Sequence, residues 1–151
     1  MKSVIFDIDG TLTPRPDEFL EVRPNAANFV RKYANDEYMI IYLSARFDWF
    51  EGLTKLWLKE KGFPEGLLSL ADTIDDVVYP DIFKTRCLKS LQQCNFKFIA
   101  AYGDSTTDFI AYTNVGIPKA QIFALKREGD LECQPGVYSE CMNGFTGPLF
   151  E

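Results

Sequence analysis

Short runs of hydrophobic residues alternate along the chain with longer segments in which apolar residues recur every three or four positions. The short runs are rich in β-branched and aromatic residues, which predicts strands at 3–8, 38–45, 96–103 and 120–125. The longer segments predict helices at 25–36, 48–62, 81–94 and 105–116. One further strand is expected between the second and third of these helices. Because strands separated by single helices favour crossover connections, we predict a doubly wound α/β fold with a mainly parallel sheet and helices on both faces.

One side of the predicted helix 48–62 carries four large apolar residues: Trp49, Leu53, Leu56 and Trp57. A stripe of this kind more often packs in a core than binds a ligand, so we expect it to be buried. The chain shows no internal repeat and no linker. Its 151 residues, of which 46% are hydrophobic, are enough for one domain with a buried core. We therefore expect residues 1–151 to form a single domain.

The chain carries 22 acidic and 16 basic residues, which gives a net charge of −6. This balance opposes a broad electrostatic attachment to nucleic acid or to an anionic membrane, and we expect no stable nucleic-acid binding. No apolar run approaches the roughly 18 residues that cross a bilayer, so no transmembrane segment is expected. The first aspartate follows the N-terminus too closely for a secretory leader, and a cytoplasmic location is the expectation.

The sequence contains no histidine, which excludes mechanisms that depend on a histidine base, such as Ser–His–Asp hydrolysis. Four cysteines are present without a CxxC pair, so a zinc site is not expected. Free thiols are the default for such cysteines. Cys133 and Cys141 lie close enough in sequence for a disulfide, and that pairing stays open.

Polar residues that can bind a cation follow several of the predicted strands. Asp7 and Asp9 lie at the end of the first strand, where aspartate is unfavourable unless a partner compensates its charge. Ser44 ends the second strand and Asp104 follows the fourth. The carboxyl ends of parallel strands meet at one edge, and Lys84 can reach the same edge from its helix. Oxygen ligands of this kind are typical of a Mg²⁺ site, so Mg²⁺ is the expected cofactor.

Four motifs resemble those of the haloacid dehalogenase (HAD) superfamily of Mg²⁺-dependent phosphohydrolases. In chain order they are "DIDGTLT", "YLSAR", Lys84 and "GDSTTD". The resemblance implies that Asp7 is a nucleophile that forms an aspartyl-phosphate, and that Asp9 acts as general acid and then as general base. It also implies a metal ion held by Asp7, by the backbone carbonyl of Asp9 and by Asp104. Asp108 would be a second acid that steadies this cluster.

The same resemblance assigns the groups that bind phosphate. It implies that the Ser44 hydroxyl and the Ala45 N–H bind a phosphoryl oxygen, and that Lys84 neutralises charge on the transferred group. Lys89 is the fallback if Lys84 is instead a solvated residue of its helix. The remaining expected phosphate or substrate contacts are Gly10, Thr11, Arg46 and Ser105.

HAD enzymes usually gain specificity from a cap domain, and neither insertion point leaves room for one in this sequence. Only nine residues (14–22) are available at the first point. The 37 residues at the second point (47–83) are needed for a helix, a strand and their connections. The resulting open site favours a large substrate, and we expect Phe47 and Phe50 to face it.

A closer resemblance extends over most of the chain. Segments such as "TTDFIAYTNVGIP" and "IFAL" resemble the LNS2 domain shared by lipin-type phosphatidate phosphatases and membrane-associated phosphatidylinositol-transfer proteins. Because the aspartates of the motifs are present, the resemblance implies an active Mg²⁺-dependent phosphomonoesterase. A phosphatidate-like lipid or another large ester would be its substrate. Two alternatives stay open: a catalytically idle module that binds a phosphorylated ligand, and a nucleotide or polynucleotide end phosphatase that uses Arg15, Arg23 and Arg46.

Overall fold

The computed structural model describes residues 1–146, which contain six strands and five α-helices. The strands are β1 (Lys2–Asp7), β2 (Met39–Phe47), β3 (Leu67–Ala71), β4 (Lys97–Gly103), β5 (Ile122–Leu125) and β6 (Glu140–Met142). The helices are α1 (Ala26–Asn35), α2 (Glu51–Glu60), α3 (Ile74–Val78), α4 (Pro80–Gln93) and α5 (Thr106–Asn114). Short turns of 3₁₀ helix precede α2 and β5, at Asp48–Phe50 and Lys119–Gln121.

All six described strands belong to one parallel sheet in the order β3-β2-β1-β4-β5-β6. β1 lies near the centre, with β2 on one side and β4 on the other. The carboxyl ends of these three strands therefore meet where the connections leave the sheet in opposite directions. Open α/β sheets bind their ligands at this place. The predicted doubly wound, parallel α/β fold is confirmed.

Helices cover both faces of the sheet. Since successive strand residues point to opposite faces, Phe6 packs in the core beneath α1 and α2, whereas Ile5 packs in the core beneath α4 and α5. Asp7, two residues after Ile5, is therefore directed to the side of α4 and α5. This alternation brings the last carboxylate of β1 to the helices that carry Lys84 and Asp108.

The predicted strands 3–8, 38–45, 96–103 and 120–125 correspond to β1, β2, β4 and β5, with ends that differ by at most two residues. The further strand expected after α2 is β3. The hydrophobic pattern does not predict β6, because only the last of its three residues is buried. It also misses α3, whose five residues are too few to show a helical period. The start of α3 is fixed instead by a capping box between Thr73 and Asp76.

The expectation that Trp49 belongs to a buried stripe is wrong. Trp49 lies in the 3₁₀ turn before α2 and is 81% exposed. Leu53 and Leu56 are exposed as well. The buried side of α2 consists of Thr54, Trp57 and Leu58.

Within residues 1–146 no cap is inserted into the fold. Residues 14–22 form the turns and extended chain that lead from β1 towards α1, and 47–83 are taken up by α2, β3, α3 and the start of α4. The expected absence of a cap therefore holds for the described part of the chain. The carboxyl edge of the sheet is left open beside these two segments.

Cys133 and Cys141 form a disulfide that joins the connection after β5 to the edge strand β6. The default of free thiols is therefore wrong for these two residues, whereas Cys87 and Cys94 are free. Disulfides are rare in reducing compartments, so the expected cytoplasmic location stays a prediction that this bond does not favour. No helix among the described residues is long and apolar enough to cross a membrane.

Candidate active site

The turn that follows β1 brings the backbone close to a carboxylate from the end of β4. The Ile8 carbonyl accepts hydrogen bonds of 2.9 to 3.2 Å from the N–H groups three, four and five residues later, which closes the turn. Gly10 has a φ of +84°, a conformation that side-chain-bearing residues rarely adopt. A Cβ at this position would lie 1.9 Å from Oδ2 of Asp104. Glycine is therefore required for the turn and the carboxylate to approach each other.

The buried guanidinium of Arg23 fastens the same turn to the segments that follow β5 and β6. It donates hydrogen bonds to the carbonyls of Gly10 (2.7 Å), Thr13 (3.1 Å), Lys126 (2.7 Å) and Asn143 (3.3 Å). The residue is only 4% exposed, and burial lowers the pKa of its guanidinium. Arg23 is therefore a structural residue that is not available to contact a polynucleotide.

Three buried carboxylates meet at the carboxyl ends of β1 and β4. Asp7, Asp104 and Asp108 place one oxygen each within 4.8 Å of the others. Lys84 reaches them from α4, with Nζ at 2.7 Å from Oδ1 of Asp7 and 2.6 Å from Oδ1 of Asp108. Burial opposes the charge of Lys84, but the two carboxylates outweigh it and raise the pKa of the ammonium group. Lys89, the fallback residue, is exposed.

The charges within this cluster are not balanced. Burial, and next the charge of Asp108, raise the pKa of Asp7 well above its ordinary value, although Lys84 opposes the rise. Burial and Asp108 likewise raise the pKa of Asp104. Burial acts in the same direction on Asp108, but Lys84 and two backbone N–H groups lower its pKa below the ordinary value. Asp7 and Asp104 are therefore the carboxylates that lack sufficient positive charge, and a divalent cation fits this donor set.

Asp108 holds the end of β4 against the start of α5. Its Oδ2 accepts hydrogen bonds of 3.1 Å from the N–H groups of both Asp104 and Ser105, while Oδ1 binds Lys84. The Ser105 hydroxyl in turn accepts from the Asp108 N–H, which completes a capping box at the start of α5. Both Asp108 oxygens are thus engaged, and this residue positions Asp104, the predicted metal ligand.

Asp9 lies apart from this cluster, in contact with two residues from the end of β2. Arg46 Nη2 lies 2.7 Å from Oδ1 of Asp9, and Arg46 Nε lies 3.0 Å from both carboxylate oxygens. The Ser44 hydroxyl donates to Oδ2 of Asp9 at 3.1 Å and accepts from the Arg46 N–H. The side chain of Asp9 is 22% exposed, in contrast to the buried Asp7. The predicted general acid is therefore open to substrate and already paired with Arg46.

The other residues expected to bind phosphate lie at the same edge of the sheet. The Thr11 hydroxyl donates to Oδ2 of Asp7 at 2.9 Å and lies 3.5 Å from Oδ1 of Asp104. Ser105 caps α5, and Ala45 is half-buried beside Asp9. The structure thus brings together the residues named from the motifs, while their assignment to a phosphate group stays a prediction.

Arg127 is a residue of this site that the sequence motifs do not reveal. It follows β5, and its Nε lies 2.6 Å from Oδ2 of Asp104. The carboxyl end of β5 opens on the same edge of the sheet as β1 and β4, so its position after the strand is the signal that could have identified it.

An apolar cleft of about 320 Å³ adjoins Asp9. Its walls come from residues 14–22, the end of β2, the start of α2 and α3: Pro16, Phe19, Ala45, Arg46, Phe47, Phe50, Leu53 and Val77. The Arg46 guanidinium lies over the ring of Phe19, 5.7 Å from its centre, and 5.6 Å from that of Trp57. Phe47 and Phe50 thus line an opening next to Asp9, as the sequence predicts.

Comparison with known proteins gives consistent relatives. The family model described as "PITM 1-3, LNS2 domain" matches residues 4–126. Membrane-associated phosphatidylinositol transfer protein 3 of Mus musculus is 35% identical over 131 residues, which cover 84% of this chain and 13% of that protein. Phosphatidate phosphatase LPIN3 of Homo sapiens is 32% identical over 156 residues, which cover 86% of this chain and 18% of that protein. The chain therefore spans less than a fifth of the length of these relatives.

Two solved structures share the fold. The cobalt-bound deoxy-D-mannose-octulosonate 8-phosphate phosphatase of Haemophilus influenzae superposes with a TM-score of 0.58 at 19% identity, covering 95% of this chain and 78% of that one. The D,D-heptose 1,7-bisphosphate phosphatase of B. bronchiseptica, complexed with magnesium and phosphate, also gives 0.58, at 16% identity, covering 93% and 92%. At such identities the likeness concerns the fold, which is that of HAD phosphatases. The match over residues 4–126 places the chain in the LNS2 domain family.

Proposed function

We propose that this domain is a Mg²⁺-dependent phosphomonoesterase that forms an aspartyl-phosphate on Asp7. The observation that carries the proposal is the position of the Asp7 carboxylate, which is buried beside Asp104 and held by Lys84 at 2.7 Å and Thr11 at 2.9 Å. The phosphatase named among the curated relatives supports the same reaction class.

The residues that would hold Mg²⁺ are the carboxylates of Asp7 and Asp104 and the backbone carbonyl of Asp9. When bound, the ion would neutralise charge on the phosphoryl oxygens and on the two carboxylates. Asp108 keeps Asp104 in place through the backbone hydrogen bonds at the start of α5. Lys84 supplies positive charge beside Asp7 within the protein itself.

In the first step, the Asp7 carboxylate attacks phosphorus and the bond between phosphorus and the alcohol oxygen breaks. Asp9 in its protonated form gives its proton to that oxygen. In the second step, ionised Asp9 takes a proton from water, and the water oxygen attacks phosphorus. Phosphate then leaves and the Asp7 carboxylate is restored. The Arg46 guanidinium, with Nη2 at 2.7 Å from Oδ1, holds the Asp9 carboxyl group in position for both steps.

The shape of the site favours a large ester with an apolar part. The cleft beside Asp9 is lined by the rings of Phe19, Phe47 and Phe50, and no cap encloses it within residues 1–146. A small ester would make few contacts outside the phosphate group, whereas acyl chains could occupy the apolar cleft. We therefore propose a lipid phosphate of the phosphatidate class as the substrate, in keeping with the name of the phosphatase relatives.

A polynucleotide end phosphatase is less favoured by the same contacts. Arg23 is buried, Arg46 is paired with Asp9, and Arg15 is paired with Asp17 and Asp130.

The test measures phosphate release from phosphatidate in micelles, from a 3′-phosphorylated oligonucleotide and from a small aryl phosphate, each with Mg²⁺ or with EDTA. We expect Mg²⁺-dependent release that is fastest with phosphatidate. Faster release from the oligonucleotide would overturn the lipid assignment. Tight binding of a phosphorylated ligand with no release from any substrate would establish the idle binding module instead.

Exchange of two aspartates should separate proton transfer from metal binding. Asp9→Asn should lower kcat by at least about 100-fold and leave the Mg²⁺ requirement nearly unchanged, because only its backbone carbonyl is a proposed ligand. Asp104→Asn should raise the Mg²⁺ concentration for half-maximal activity by about tenfold or more, since it removes a carboxylate ligand. Initial rates over a Mg²⁺ titration measure both effects. Equal metal defects in the two variants would contradict these roles.

Removal of the Phe50 ring from the cleft should lower the rate with the large substrate and leave the rate with a small one nearly unchanged. Phe50 is 44% exposed, so Phe50→Ala should leave folding intact. It should lower kcat/KM for phosphatidate by about tenfold, because a buried aromatic contact contributes roughly 1.5–3 kcal/mol. The rate with a small aryl phosphate should change little. Leu131→Ala, at an exposed position outside the cleft, serves as the control. An equal loss with both substrates would place Phe50 outside the substrate surface.

A further inference from the structure

Arg127 makes a contact that the proposed reaction does not use. Its Nε lies 2.6 Å from Oδ2 of Asp104, whose side chain is only 2% exposed, and the Arg127 side chain is 23% exposed. Within residues 1–146 this is the one side-chain hydrogen bond recorded for Arg127. The other oxygen of Asp104 lies 3.5 Å from the Thr11 hydroxyl. Of the two Asp104 oxygens, Oδ2 therefore has the shorter hydrogen bond, and its donor is Arg127. Asp104 is a proposed metal ligand.

The backbone around Arg127 is fixed on both sides. The N–H of Lys126 donates to the Met142 carbonyl at 2.8 Å, and the Lys126 carbonyl accepts from Arg23 at 2.7 Å. The N–H of Glu128 donates to the Pro14 carbonyl at 3.0 Å. These backbone hydrogen bonds hold the segment that carries Arg127, and they position its guanidinium beside Asp104.

Arg23 shows what a purely structural arginine looks like in this site. Its guanidinium is bound by four backbone carbonyls and makes no hydrogen bond to a carboxylate among the described residues. Arg127 has the opposite pattern, since its recorded hydrogen bond goes to a carboxylate alone. A cation that approaches Asp104 would therefore meet a positive charge already bound to Oδ2.

We infer that Arg127 competes with the metal ion for Asp104 and thereby sets the Mg²⁺ concentration at which the site fills. This inference rests on the proposed function only for the identity of the metal ligand. In the metal-free protein Arg127 and Lys84 partly neutralise the three carboxylates. When a divalent cation binds, it takes over the neutralisation of Asp104 and repels the guanidinium, which must turn away or share the oxygen.

The test is calorimetric titration of the 151-residue chain with MgCl₂, which requires no turnover. Removal of the competing charge in Arg127→Gln should tighten Mg²⁺ binding by about tenfold or more, because the guanidinium at 2.6 Å from Oδ2 of Asp104 opposes a second cation on the same carboxylate even in water. Arg127→Lys, which keeps the charge, should bind Mg²⁺ with an affinity between those of wild type and Arg127→Gln. Arg15→Gln is the matched control, since Arg15 binds Glu128 and Asp130 but not Asp104.

A second measurement uses the wild-type protein. The Arg127 Nε–H signal in ¹H–¹⁵N spectra, assigned by its loss in Arg127→Gln, should move strongly as Mg²⁺ is added, while the Arg23 Nε–H signal stays in place. Unchanged or weaker Mg²⁺ binding by Arg127→Gln, equal tightening in Arg15→Gln, or a stationary Arg127 signal in the Mg²⁺-saturated protein would each overturn the inference. A protein that shows the expected tightening but hydrolyses no ester would retain the inference and refute the phosphatase proposal.

Discussion

Asparagine in place of Asp7 should abolish phosphate release while the fold is retained. The amide cannot attack phosphorus as a carboxylate does, so kcat should fall by at least about 10³-fold. Folding should survive because the amide keeps the shape of the side chain. Its oxygen can still accept from Lys84, and its NH₂ group can donate to the Thr11 hydroxyl. Burial and Asp108 already disfavour the charged form of Asp7, as its raised pKa shows, so a neutral group is well tolerated there.

The measurement combines phosphate release with thermal unfolding in the presence of EDTA. Asp17→Asn is the matched control, because it makes the same exchange at a side chain that is 76% exposed. Acid quenching of the wild type during turnover should trap phosphate covalently on the protein, and the Asp7→Asn variant should trap none. A folded Asp7→Asn protein with turnover near that of wild type would exclude the aspartyl-phosphate mechanism.

Replacement of Lys84 by methionine should destabilise the metal-free protein by about 3–5 kcal/mol, the usual effect of removing one partner from a buried ion pair. The Lys84 side chain is 5% exposed and lies between Asp7 and Asp108, so its loss leaves two buried carboxylates without their shared cation. Urea unfolding in EDTA measures the effect. Lys89→Met, at an exposed position of the same helix, should change stability by no more than about 0.5 kcal/mol.

The stability deficit of Lys84→Met should increase with pH. Lys84 lowers the pKa of both Asp7 and Asp108, so both values rise when it is removed. An acid whose pKa is raised by folding contributes stability below its unfolded pKa of about 4, and this contribution is lost as the pH rises through the folded pKa. The deficit should therefore grow as the pH rises above about 4. A deficit that does not change with pH would indicate that the variant is destabilised by lost packing and not by the unpaired carboxylates.

Much of the site follows from the geometry of a parallel sheet. Asp7 ends β1, Asp104 follows β4 and Ser44 lies three residues before the end of β2, and the hydrophobic runs before them indicate these places in the sequence. Lys84 is harder to locate, because it comes from a helix on one face. Its position before the apolar face of the helix and between the second and fourth motifs favours it over Lys89, and its buried contacts with two carboxylates agree with that choice.

The partners of the arginines could not be predicted in the same way. Arg23 binds the carbonyl of a residue 120 positions later, and Arg127 binds Asp104 across a strand connection. Neither contact leaves a periodic pattern, since a charged residue becomes buried through partners that only the tertiary structure supplies. Arg46 was expected to contact substrate, and its present partner, Asp9, comes from a different strand end. The side of α2 that faces the core could not be predicted either, because Leu53 and Leu56 are exposed within the helix while Thr54 is buried.

The hydrogen bonds of Arg23 determine how far the domain can be shortened from its C-terminal side. A fragment that ends at residue 126, the limit of the family match, would lose the Asn143 carbonyl that Arg23 binds. It would also lose β6, the disulfide and the buried ring of Phe145. The turn that carries Gly10 and Asp9 would then be held less firmly, although every motif residue would still be present. For expression or domain transplantation, we therefore expect a stable fragment to need the chain through Phe145, about 20 residues past the end of the family match.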